Sequence, residues 1–385
     1  VLIILKTLTL TGLGYGATLL YTYVIIANVD AETIGRLNKY ESILAIIASL
    51  ISLGVVQDAS RNIAINKNKW LQVYYDAQSC RVSLALLISV TSICFFLVTR
   101  NELYLLGLTG LAMALSGEYA LYAIGRPTVG ATASFFRAAL FSLLMLVVVS
   151  VEKFNINAAT LTIAWSISFI LCGFIASRQL NVKYFICPGI PEKKALKTIG
   201  LIALLVFIYS NIKPAFILFI SEYITKEDSV YYFEAYKLYF ILFSVRRVIV
   251  QSLYKEIITS KSTVKHDFII MSLMILSLLA LWLIRILLDF FSIGFPGLTY
   301  EMLIDISIMT LMSCVFSSSF TKLFSLRKDF LIVIPVVTSL IFIYTGVQFV
   351  SGIDSTVSNY LYLLGATELV LSITSFFILK QTLVK

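Results

Sequence analysis

Charge is scarce in this chain. Only 13% of its 385 residues are Asp, Glu, Lys or Arg, where soluble domains carry about a quarter. Histidine is nearly absent: His266 stands alone, in what reads as a solvated loop, and no histidine-based metal site or nucleophile–base pair can be assembled from it. The five cysteines include no CxxC, so neither a zinc ribbon nor a disulfide framework is expected. No metal site is predicted. No hydrophilic stretch is long enough for a soluble domain, because the longest loop runs only from Asn181 to Thr198. No large loop offers a solvent-facing acidic pair either, so the chain is not expected to be an enzyme.

Apolar runs fill the space that these absences leave. The composition is 59% hydrophobic and the mean hydropathy is +0.94. Runs near the ~20 residues that cross a bilayer as a helix recur from end to end. Twelve are predicted, at 7–28, 40–57, 81–99, 103–125, 129–151, 160–179, 199–221, 230–253, 268–288, 303–320, 330–350 and 359–379. The expected fold is all-α, integral to the membrane, with twelve transmembrane helices. The opening VLIILK leads straight into the first run, so no cleavable signal peptide is expected.

The net charge of +9 is distributed by loop. One alternating set of loops and termini holds 19 Lys and Arg, including Lys6, Arg61, Arg81, Lys197, Lys322 and Lys380, and the other holds five: Arg36, Lys39, Arg100, Lys153 and Lys226. By the positive-inside rule the first set is cytoplasmic, and so are both termini. The excess is thus a topology signal, and no nucleic-acid partner is implied.

The loop containing ICPGIPEKK splits the chain into two six-helix halves, 1–190 and 191–385. LKT at 5–7 returns as LKT at 196–198, each before the first run of its half. Acidic turns AETIGRLNKYESI (31–43) and KEDSVYYFEAYKL (226–238) hold matching places. Parallel repeats of this kind place a substrate site near the midplane at the repeat interface.

Charges inside the apolar runs are costly and point either to pairing or to function. Around the turn GRPT, Glu118 and Arg137 lie equally deep, roughly 14 Å at ~1.5 Å per residue, and are expected to form a structural ion pair. By the same argument Arg285 and Asp305 pair across the loop containing FPG. Lys213, in LLVFIYSNIKPAFILFI, lies level with Glu234 and Lys237 across the next turn. Two cations and one anion there predict an anion-binding cavity, with a static Lys213–Glu234 bridge as the rival reading. Pro214 removes one helical hydrogen bond and is the expected hinge. Arg246, Arg247 and Arg61, further along polar faces, either join the cavity or snorkel to the interface. Glu368 has no partner at its own depth.

The residues from LKTLTLTGLGYGATLLYTYVIIANVDAETIGR to LGVVQDASRNIA resemble the start of Wzx-type polysaccharide flippases, of the multidrug/oligosaccharidyl-lipid/polysaccharide (MOP) export superfamily. The small-residue-rich first span, the acidic turn with Gly35, and the close of the second helix carry the resemblance. It implies two six-helix lobes around a cationic cavity in a bacterial inner membrane. The implied cargo is an oligosaccharide on undecaprenyl pyrophosphate, such as an O-antigen repeat unit, moved from the cytoplasmic to the periplasmic leaflet by alternating access. Lys213, Lys237, Arg246, Arg247 and Arg61 would meet pyrophosphate, and tyrosines 15, 21, 231, 232, 236 and 239 could stack on sugars. No cofactor is implied; a proton or sodium gradient could drive the step, with Glu234, Glu118 and Glu368 as coupling carboxylates. A polysaccharide polymerase and other assembly proteins are the expected partners besides the bilayer. The rivals are a multidrug exporter of the same superfamily, which would favour an acidic cavity, and a major-facilitator transporter, whose basic signature GVVQDASRNIAINKNK meets poorly. A polytopic polymerase or glycosyltransferase is the rival from another class.

Overall fold

A computed structural model describes residues 2–65, 67–152, 156–189, 204, 207–216, 226–260, 262–291, 299–326, 330–351 and 357–384. Among them there is no strand. The chain is a multi-pass helical membrane protein, and its described helices are α1 (Leu2–Asn28), α2 (Ala31–Ser52), α3 (Val55–Ile65), α4 (Trp70–Thr99), α5 (Thr109–Leu115), α6 (Glu118–Ala123), α7 (Pro127–Glu152), α8 (Ala158–Leu180), α9 (207–216), α10 (Lys226–Ser252), α11 (Tyr254–Thr259), α12 (Val264–Phe290), α13 (Tyr300–Cys314), α14 (Ser317–Ser325), α15 (Phe330–Ser351) and α16 (Val357–Val384).

Eight of the described stretches are long and apolar enough to cross a membrane, and α2 with α3 makes a ninth if that pair, bent by 51°, is one span. The bend sits where Leu53 (φ 29°) and Gly54 (φ 71°) leave the helical region in succession. Of the other three expected runs, 103–125 is broken into a 3₁₀ stretch, α5 and α6. The run at 230–253 is one continuous helix whose polar content is set by Glu234, Lys237, Arg246 and Arg247. The run at 199–221 falls largely outside the described residues.

Local chemistry explains where helices begin and end. Asp30 caps α2 by accepting from the Thr33 N–H at 3.3 Å; the Thr33 hydrogen bonds hold its carboxyl below the usual carboxylate range. Asn157 and Thr160 form a reciprocal capping box on α8 (2.9 and 3.3 Å), satisfying orphan N–H groups that lipid could not. Asn181 and Arg100 close α8 and α4 in the left-handed region, both at φ 56°.

The chain forms two compact units, Val1–Tyr223 and Ile224–Lys385. The half boundary expected at 190/191 falls at the edge of the undescribed stretch 190–203. In the first unit α1 lies along α7 and α8 packs on both α7 and α5. At Gly14 the backbone of Phe135 comes so close that a Cβ would sit 3.3 Å from its Cα. α9 belongs to this unit, and its Asn211 donates to Ser49 Oγ of α2 at 2.6 Å. In the second unit α16 is the central helix, packed by α13, α14, α15 and α10, with α12 on α13.

Besides the α2–α3 bend, each unit contains a further interrupted helix. α5 stops at Leu115 and α6 starts at Glu118; α13 stops at Cys314 and α14 starts at Ser317. A broken helix frees backbone groups that must find partners in lipid. In the first unit Arg81 of α4 supplies them, donating to the carbonyls of Ser116 (2.6 Å) and Met113 (2.8 Å) and to Gln78 Oε1 (2.5 Å). Its guanidinium lies 5.6 Å from the Tyr119 ring centre. In the second unit Arg246 of α10 donates to the Ser313 carbonyl, and Asp267 of α12 accepts from the N–H of Ser318 at 2.8 Å.

Candidate functional site

The intramembrane charges divide into those held by neighbours within their own unit and those on polar helix faces. Glu118, at the start of α6, accepts from Arg137 of α7 at 2.7 Å and from the Cys172 thiol of α8 at 2.6 Å. Arg137 also stacks 4.8 Å from the Phe169 ring centre. Both carboxylate oxygens of Glu118 are therefore engaged. Glu368 of α16, for which sequence depth offered no partner, meets Arg246 of α10 at 3.2 Å, both side chains being buried. Arg246 also stacks on Phe243 at 4.3 Å.

The expected Arg285–Asp305 pair is replaced by two other arrangements. Arg285 pairs with Asp289, one turn further along α12, at 2.8 Å and lies 5.1 Å from the Tyr300 ring centre. Asp305 is buried and accepts from Ser358 (2.6 Å), Tyr231 (3.1 Å) and Tyr362. Equal distance from a turn fixes depth but not azimuth. An i,i+4 partner on the same helix is always within reach.

Arg61, expected to reach cargo, is 2% exposed and meets Asp58 of its own helix at 2.5 Å. Arg246 is likewise committed to Glu368 and to the Ser313 carbonyl. For both, the low-dielectric interior rewards a close carboxylate over an open cavity. Tyr21, Tyr232 and Tyr239 are 0–1% exposed and so are packing residues rather than a stacking wall. Tyr15, Tyr231 and Tyr236 are half-buried.

Lys213 is half-buried on α9 of the first unit, and Pro214 beside it is buried within the helical stretch. Asn211, a turn earlier, also donates to the Phe207 carbonyl at 2.6 Å. In the second unit Glu234 and Lys237 are buried on α10, and Arg247 on the same helix is exposed. Among the described residues no group of three or more His, Cys, Asp or Glu is placed to hold a metal ion. Sequence reasoning missed the roles of Arg81, which it counted as a loop cation, and of Asp267. The signal was present in SGE at 116–118 and SSS at 317–319, small polar residues where an unbroken span would be apolar.

No protein-family pattern matches the chain, and no curated protein matches its sequence. Solved structures do match its fold over nearly all of its length. A MOP-superfamily transporter from Pyrococcus furiosus, described as having a binding pocket of reverse polarity that suggests a different function, superposes with a TM-score of 0.70 at 12% identity, covering 99% of this chain and 95% of that one. The MATE multidrug transporter DinF-BH, solved as a complex, gives 0.68 at 15% identity, covering 98% and 95%. A MATE protein in complex with MaL6 gives 0.67 at 12% identity, covering 99% and 96%. The chain has the fold of the MATE transporters of the MOP superfamily.

Proposed function

We propose that the chain is a flippase that carries an undecaprenyl-pyrophosphate-linked oligosaccharide, an O-antigen or related repeat unit, across a bacterial inner membrane. The observation that carries this reading is the balance of charge within the expected spans. Six cations (Arg137, Lys213, Lys237, Arg246, Arg247, Arg285) face four carboxylates, and arginines engage two of those four, Glu118 and Glu368. A cavity for cationic drugs needs uncommitted carboxylates; one for pyrophosphate needs cations. Lys213, Lys237 and Arg247 are the head-group contacts in this proposal, while Arg61 and Arg246 shape the helices that carry them. Twelve spans in two lobes, 1–190 and 191–385, with both termini cytoplasmic, rock about the site, and Pro214 is the hinge of the seventh. No bond is made or broken, so no enzymatic activity is part of the reading. Assembly partners such as a polysaccharide polymerase fit the same role.

The second reading, a multidrug exporter, is favoured by the multidrug transporters among the structures of the same fold. Complementation separates the two. In a strain lacking its own flippase, the chain should restore surface glycan. Lys213→Ala and Lys237→Ala should strand lipid-linked intermediate on the cytoplasmic side, and Lys213→Arg should partly rescue. Normal export by both alanine variants at normal abundance would refute the site. Drug resistance without glycan export would establish the exporter.

A further inference from the structure

The end of the first unit that the positive-inside rule assigns to the cytoplasm gathers cations that the transport reading does not use. Arg126 stands in the turn between α6 and α7, and Arg178 in the last turn of α8; both are exposed. Arg126 Nη1 donates to the Gln179 carbonyl at 3.3 Å, which brings its guanidinium to the residue next to Arg178. Among the described residues neither arginine pairs with a carboxylate.

The backbone around both is fixed. Gly125 turns at φ 86°, the Arg126 N–H donates to the Leu121 carbonyl at 2.8 Å, and Pro127 begins α7. Past Arg178, Asn181 closes α8 and the Val182 N–H returns to the Ser177 carbonyl at 3.0 Å. Lys183, a third exposed cation, donates its N–H to the Tyr75 hydroxyl at 3.2 Å. One arginine at this place is explained by snorkelling and by the carbonyl pole of α8. A second, reaching over from another turn, adds like-charge repulsion that a shared anion would relieve.

An apolar stripe runs along α8 from the same point. Ile163, Ile167, Ile170 and Phe174 are 42–59% exposed. At ~100° per residue they and Arg178 fall within roughly 80° of one another, so the cation heads the stripe. Ile167 to Arg178 spans roughly 16 Å at ~1.5 Å per residue, about the depth of one hydrocarbon leaflet.

We propose that Arg126 and Arg178 form a site for an anionic phospholipid, with its phosphate on the two guanidinium groups and an acyl chain along the α8 stripe. Arginine forks match phosphate oxygens, and anionic lipid is drawn to basic residues at the cytoplasmic ends of membrane helices. A zwitterionic lipid brings a cation of its own and is disfavoured. The site shares no residue with Lys213, Lys237 or Arg247, so it stands apart from the cargo.

The test is native mass spectrometry of the purified full chain, released from micelles holding equal amounts of dioleoylphosphatidylglycerol and dioleoylphosphatidylcholine. Wild type should retain one phosphatidylglycerol in preference to phosphatidylcholine. Arg126→Gln and Arg178→Gln should each weaken retention about fivefold, the effect of one basic residue near anionic lipid. Lys265→Gln removes an exposed cation from the same expected side of the second unit and should change nothing. The Arg178 side chain holds no other group in place among the described residues, so its variant decides the matter if Arg126→Gln does not fold. No preference for phosphatidylglycerol in wild type, unchanged retention in Arg178→Gln, or equal weakening by Lys265→Gln overturns the site. So does displacement of the lipid by inorganic phosphate, which would mark a bare anion site.

Discussion

Replacing Arg81 by methionine keeps the aliphatic stem and removes the fork that holds the α5–α6 break. The Ser116 and Met113 carbonyls lose donors at 2.6 and 2.8 Å, and Gln78 loses one at 2.5 Å. The buried Ser116 carbonyl, left without that donor, costs about 1–3 kcal/mol, whereas the Met113 carbonyl keeps the Ser116 N–H at 3.2 Å and the Ser116 hydroxyl at 2.7 Å. Removing a buried guanidinium recovers part of its desolvation, so the net loss should be about 1–2 kcal/mol. For a unit of this size that is a fall of roughly 2–8 °C in unfolding midpoint. Arg81→Lys, a point charge that cannot span both carbonyls, should fall between the two. Thermal unfolding in detergent, followed by thiol exposure or by loss of the monodisperse peak, reads the effect. A midpoint for Arg81→Met within about 1 °C of wild type would refute the reasoning, because a break so easily left unsatisfied would need no holder.

Two further outcomes are expected. Glu118→Leu or Arg137→Met alone should each destabilise by about 1–3 kcal/mol, since each strands a half-buried charge, and the double variant should cost clearly less than their sum; an additive double-mutant cycle would show that the 2.7 Å pair is not coupled. Gly173→Ala should destabilise by about 1–3 kcal/mol, because its Cβ would stand 2.7 Å from the Leu115 carbonyl oxygen, whereas Gly16→Ala meets nothing within 4 Å and should be neutral or mildly stabilising; equal melting of the two variants would contradict the packing.

Much of the architecture was legible because membrane helices are specified by length and apolarity, which need no partner. The runs at 81–99, 129–151, 160–179, 268–288, 330–350 and 359–379 all lie within single described helices. The site was less legible, because pairing depends on which way a helix face turns. Glu118 and Arg137 share both depth and face; Arg285 and Asp305 share depth alone, and each took other partners. Arg246 and Glu368 are far apart in sequence and on helices not joined by a turn, so hairpin arithmetic could not join them. Arg81 obeyed the charge rule for loops yet turns inward, because the open carbonyls of a broken helix outbid water for its guanidinium.

The α5–α6 and α13–α14 breaks show that the two units fill gaps of the same kind with different groups. In each unit the helix preceding the break reaches across to it, but α4 offers a donor to freed carbonyls while α12 offers an acceptor to a freed N–H. At the carbonyl end of its break the second unit draws on another helix, where Arg246 of α10 donates to Ser313. If the halves descend from one duplicated ancestor, their parts are no longer exchangeable: a chimera carrying α4 in place of α12 would aim a guanidinium at N–H groups. Such a chain would present donor to donor in a medium without water to mediate.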